Sequence, residues 1–150
     1  MTFRHIHQTI LHDPDNGKHG DCHRTALAMA LGINAADIPN FGDPREHPDW
    51  RGSRNAWLAQ QGLGAVELPF PASVELETLL RQLEHSCGEA VALLAGYSPR
   101  GTYHETVVHR GKMYDPHPSE SGIVRAHEDG YWWVTLLCPL PGALRRRRDG

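Results

Sequence analysis

Apolar positions recur at helical spacing in three early segments and then change to short runs and alternations, so the pattern predicts helices first and strands afterwards. Ala26, Leu27, Ala30 and Leu31 form one stripe. They predict a helix over residues 21–31, with Asp21 as N-cap and Gly32 as C-cap. Trp50, Trp57 and Leu58 give the inward face of a second helix over 49–61, closed by Gly62. Leu76, Leu79, Leu80 and Leu83 predict a third, capped by Ser73 and running to about residue 84.

The later chain reads as sheet. The continuous apolar run 90–95 (AVALLA) predicts a buried central strand. Residues 104–109 (HETVVH) and 112–115 predict a hairpin turning at Arg110-Gly111, and 131–137 (YWWVTLL) the last strand. A short strand at 65–68 and a weakly alternating edge strand within 2–11 complete the set. Segments 12–21, 34–48, 96–103 and 116–122, rich in Pro, Gly and Asn, read as loops. Helices followed by an antiparallel sheet is the order of an α+β domain. One domain is expected over 1–140, with 141–150 a flexible basic tail carrying Arg145 to Arg148.

Composition narrows the function classes. A formal net charge of −3 argues against nucleic-acid binding by the domain, leaving the Arg145–Arg148 run as the one segment with the charge for such a contact. The N-terminus has no apolar stretch of signal-peptide length and no run approaches a membrane span, so no membrane partner is expected. Three cysteines, Cys22, Cys87 and Cys138, are too few and too scattered for a disulfide framework and suit a reducing, cytoplasmic location. The 11 histidines are spread along the chain, with His5 and His7 alternating as on a strand, and read mostly as solvated polar residues.

The candidate chemistry centres on Cys22. It opens a helix, where unsatisfied N–H groups and the positive end of the dipole favour a thiolate. His104, at the start of a strand, is the candidate base, and Asp115 the group that orients it. Hairpin parity selects this pair. With a two-residue turn, Thr106 stands opposite Asp115, and residues two apart share a face. His104 therefore lies on the face of Asp115 and His109 on the other, while His117 is a second candidate base. The Cys22 N–H and the amide of Asn16 are the candidate oxyanion donors. Arg100, on the loop leading to His104, is the candidate substrate-binding cation. Cys87 and Cys138 read as structural.

These stretches, Gly20-Asp21-Cys22, His104-Glu105-Thr106-Val107-Val108 and Tyr114-Asp115-Pro116, resemble the papain-like cysteine peptidases. The likeness is to compact bacterial and phage forms related to the C39-like, bacteriocin-processing peptidases. Papain relatives carry a glutamine six residues before the nucleophile, where this chain has Asn16. The resemblance implies a papain-like fold, with an N-terminal nucleophile helix packed on a C-terminal antiparallel sheet. It also implies a thiol-dependent hydrolase of peptide, isopeptide or amide bonds, with a peptide or protein substrate and no cofactor. Three other functions fit the same residues. One is a non-catalytic papain-like binding module. Another is an acyl transferase using the same Cys-His-Asp triad. The third is a zinc-binding protein using Cys22, His23 and other histidines.

Overall fold

The apolar centre of the first helical segment folds as expected: Ala26, Leu27, Ala28 and Met29 are the buried middle of α1 (Cys22–Leu31). Gly32 ends it in the left-handed region at φ 67°, its N–H returning to the Ala28 carbonyl. The computed structural model containing this helix describes residues 2–142. Asp21 occupies the N-cap position but its carboxylate caps nothing. Buried, it instead accepts from the Ile10 N–H, the Thr9 hydroxyl and Arg24. It thus ties the N-terminal segment to the start of the helix.

α2 (Trp50–Gln60) begins at Asp49, whose carboxylate accepts the Gly52 N–H. Leu58 is buried as expected, but Trp50 is not turned inward. Its ring lies under the guanidinium groups of Arg51 and Arg54. Such a contact suits an aromatic at a wet surface. α3 (Leu76–Cys87) starts after Glu75, later than the Ser73 cap expected, because residues 71–74 still turn out of the preceding strand through a Val74 N–H to Pro71 carbonyl bond. Gly88, at φ 56°, stops it.

Five strands form one antiparallel sheet in the order β1-β5-β2-β3-β4. β1 is Leu63–Pro71, β2 Val91–Tyr97, β3 Tyr103–His109, β4 Lys112–Tyr114 and β5 Tyr131–Pro139. The apolar run of β2 takes the centre, as its pattern requires. The proline-bearing β1 lies at an edge, where a missing N–H is tolerated. Leu93 and Val107 face α1, while Ala92, Leu94, Val108 and Val134 face α3. Each buried leucine or valine of this set contributes about 1.5–3 kcal/mol through burial. The described residues therefore form a mixed α+β arrangement of three α-helices and a five-stranded antiparallel sheet.

The β3–β4 hairpin keeps the expected register. His109 pairs with Lys112, Val108 with Met113 and Val107 with Tyr114. Arg110 and Gly111 both have positive φ, the conformation of a tight two-residue turn. The N-terminal segment forms no strand, contrary to expectation. β4 has only three residues before Asp115 and Pro116 end it, so little edge is left to pair with. The segment instead crosses the hairpin. The Phe3 ring packs on His109 and Tyr114, and the Gln8 N–H donates to the Pro116 carbonyl. No helix among the described residues is long and apolar enough to cross a membrane. The Arg145–Arg148 run lies outside the described residues.

Candidate metal centre

Asp115 organises this end of the sheet. It follows β4 directly, is buried, and accepts at every oxygen it has. Oδ1 takes His104 Nε2 at 2.5 Å and the His117 N–H at 2.8 Å. Oδ2 takes the Gly122 N–H at 2.7 Å, and the main-chain carbonyl takes His5 Nε2 at 2.6 Å. The carboxylate thus grips both ends of the loop 117–122. At the tip stands Glu120, a non-glycine residue held in the left-handed region at φ 53°. Backbone strain of that kind persists only where the surroundings enforce it.

The same carbonyl sets the tautomer of His5. A carbonyl only accepts, so Nε2 carries the proton and Nδ1 presents its lone pair. That Nδ1 lies 3.3 Å from Glu120 Oε1, and His7 Nε2 lies 3.2 Å from the same oxygen. One ligand atom from each of His5, His7 and Glu120 falls within 4.8 Å of the others. The His5 lone pair and the Glu120 carboxylate, facing each other at this range, call for a proton or a metal ion between them, and His7 Nε2 meets the same oxygen either as a hydrogen-bond donor or as a second ligand. Two ligand atoms on a tetrahedral zinc, each about 2.0–2.1 Å from it, stand about 3.3 Å apart. The two distances to Glu120 match, and the two imidazole nitrogens lie within 4.8 Å of each other. His5 is mostly buried, His7 and Glu120 are open to solvent, and a shallow cleft lined in part by His5, Tyr114, Asp115 and Glu120 adjoins them.

The residues singled out by sequence lie as follows. His104 and Asp115 meet, as parity required, and both are buried. Burial alone would lower the His104 pKa. The Asp115 hydrogen bond, with the nearby Cys22 adding to it, raises it instead, to about 9. Burial would likewise raise the Asp115 carboxyl, but bonds from His104 and from the His117 and Gly122 amides hold it below the usual range. His109 points to the other face, against Phe3. His117 bonds the Ser119 hydroxyl through Nδ1 at 2.8 Å. Asn16 lies in a 3-10 turn (Pro14–Asn16), where its amide nitrogen donates to Asp13 at 2.7 Å. Arg100 donates to the hydroxyls of Ser119 and Ser121. Cys22 is the first residue of α1 and half-buried, and Cys87 and Cys138 are likewise half-buried and free.

The expected thiol hydrolase is corrected by this arrangement. Cys22 lies near enough to favour the charged His104 ring. It makes no hydrogen bond of ordinary geometry to that ring among the described residues, where His104 bonds Asp115. The ligand-type side chains that do converge are His5, His7 and Glu120. A cysteine peptidase, amidase or acyl transferase is therefore not assigned. The zinc alternative is also relocated: His23 pairs with Glu105 through Nδ1 at 3.3 Å and does not join the cluster. The sequence held one signal for this cluster, the alternation of His5 and His7, which puts two rings on one side of an extended segment. Nothing in Ser119-Glu120-Ser121 marked the third member. No protein-family model, curated protein or solved structure matches the chain.

Proposed function

We propose that this protein binds a divalent transition-metal ion, zinc by preference, through His5 Nδ1, His7 Nε2 and Glu120. The observation carrying the reading is the convergence of those three donors within 4.8 Å of one another, both imidazoles standing at a zinc-like distance from Glu120 and His5 locked by the Asp115 carbonyl. A ligand histidine whose second nitrogen donates to a main-chain carbonyl is the usual support of a zinc site. Imidazole and carboxylate donors suit zinc better than the harder calcium or magnesium ions. For the scaffold we propose a papain-like arrangement of kinship to the bacterial and phage forms. The packing of α1 on β2 and β3 supports it.

Isothermal titration of untagged, metal-stripped protein with zinc tests the function. One equivalent is expected to bind at this site. His7→Ala and Glu120→Gln change exposed side chains and should keep the native circular dichroism spectrum. Each should weaken that equivalent by at least about tenfold, since loss of an outer-shell partner alone costs that much. Zinc uptake by both variants equal to that of the parent would overturn the assignment.

A further inference from the structure

Arg100 is an exposed cation that makes no ion pair among the described residues. Its Nη1 reaches Ser119 Oγ at 3.3 Å and Ser121 Oγ at 3.1 Å, the residues on either side of Glu120. A guanidinium has five N–H donors, so most of its fork stays available. The two hydroxyls are 2.8 Å apart, and the His117 ring joins the same group through Ser119. The proton affinity of His117 is lowered first by burial and then by the positive charge of Arg100, against the opposing charge of Asp115. Arg100, from loop 98–102, and the two serine hydroxyls therefore gather on one short loop, on either side of the Glu120 carboxylate.

Three protein donors leave a coordination position open on a four-coordinate zinc. With His7 and Glu120 both exposed, a ligand completing the coordination would reach the site from solvent. We propose that it is filled by an oxyanion group, a phosphate or a carboxylate, which binds the metal with one oxygen and Arg100 with another, the Ser119 and Ser121 hydroxyls completing its hydrogen bonds. An arginine fork matches either group in bidentate geometry. The inference rests on the metal reading above. It adds the class of ligand that the metal would present to the rest of the molecule. It also gives Arg100 a use that its serine contacts alone do not require.

The test is run in two stages so that the two readings fail separately. Zinc is titrated first, without added anion; absence of uptake overturns both. Inorganic phosphate and, separately, acetate are then titrated into metal-stripped and zinc-loaded protein. At least one of them should bind the zinc-loaded form about tenfold or more tightly than the stripped form, and the tighter of the two identifies the group recognised. Arg100→Gln keeps a donor for the serines and should take up zinc like the parent. It should lose about tenfold in anion affinity, the worth of a charge-assisted bond. Equal anion binding with and without zinc, or anion binding unchanged in Arg100→Gln, would overturn the proposal while leaving the metal site standing.

Discussion

Replacing Asp115 by asparagine keeps the shape of the side chain and removes its charge. The native carboxylate receives three donors, His104 Nε2, the His117 N–H and the Gly122 N–H. An amide has one oxygen, so at least one donor must then face an NH₂ group. Removing one partner of a buried ion pair costs about 3–5 kcal/mol. The displacement of His104 from 6.5 to about 9 gives an independent figure of about 3 kcal/mol, part of it owed to Cys22. His104 is only 4% exposed, so little of this is screened. Asp115→Asn should therefore lose about 3 kcal/mol near pH 6. The pH dependence has a definite sign. The folded-state pKa of His104 is raised, so its contribution is complete below about pH 6.5 and fades as pH climbs through the raised value. The Asp115 carboxyl is depressed, so its contribution is complete above about pH 4 and fades as pH falls through the lowered value. Urea unfolding of parent and variant at about pH 6 and about pH 10 measures both effects. The gap should narrow at the higher pH. A gap under about 1 kcal/mol at pH 6, or one of the same size at both, would refute the ion-pair account.

Two further predictions concern the scaffold and its aromatic rim. A Cβ added at Gly96 would stand 2.7 Å from the Arg125 carbonyl and 3.1 Å from the Trp132 ring, so Gly96→Ala should destabilise by about 1–3 kcal/mol in the same unfolding assay. Unchanged stability would mean that β2 and the segment at Arg125 are not packed as described. Tyr103 is 49% exposed as a whole residue, but desolvation around its phenol, and then the negative charges of Glu105, Asp129 and Glu67, raise its pKa above the ordinary value. Ultraviolet titration of parent against Tyr103→Phe should therefore show no Tyr103 ionisation near pH 10, and a normal phenolate transition assigned to it would contradict that environment.

Much of the architecture is local and was legible. The stripe from Ala26 to Leu31 and the spacing from Leu76 to Leu83 each bury one helix face, and AVALLA has no polar position to show to water. The hairpin register was readable because Arg110-Gly111 is a two-residue turn, and the two-residue period of a strand then assigns every side chain a face. The boundaries that moved, at Ser73 and at the N-terminal segment, are those where a neighbouring element competes for the same backbone groups.

The sequence by itself determined the buried faces of the three α-helices, the places of the five strands that formed, and the pairing of His104 with Asp115, because each depends on residues close in the chain or joined by one tight turn. The meeting of His5, His7 and Glu120 depended on the tertiary structure alone. His7 and Glu120 are separated by 113 positions, and they meet only because Asp115 closes the loop 117–122 with its carboxylate and holds His5 with its carbonyl. Whether a histidine is a solvated side chain or a ligand is decided by the lone pairs it faces. That is a property of packing between distant segments, which no local spacing records.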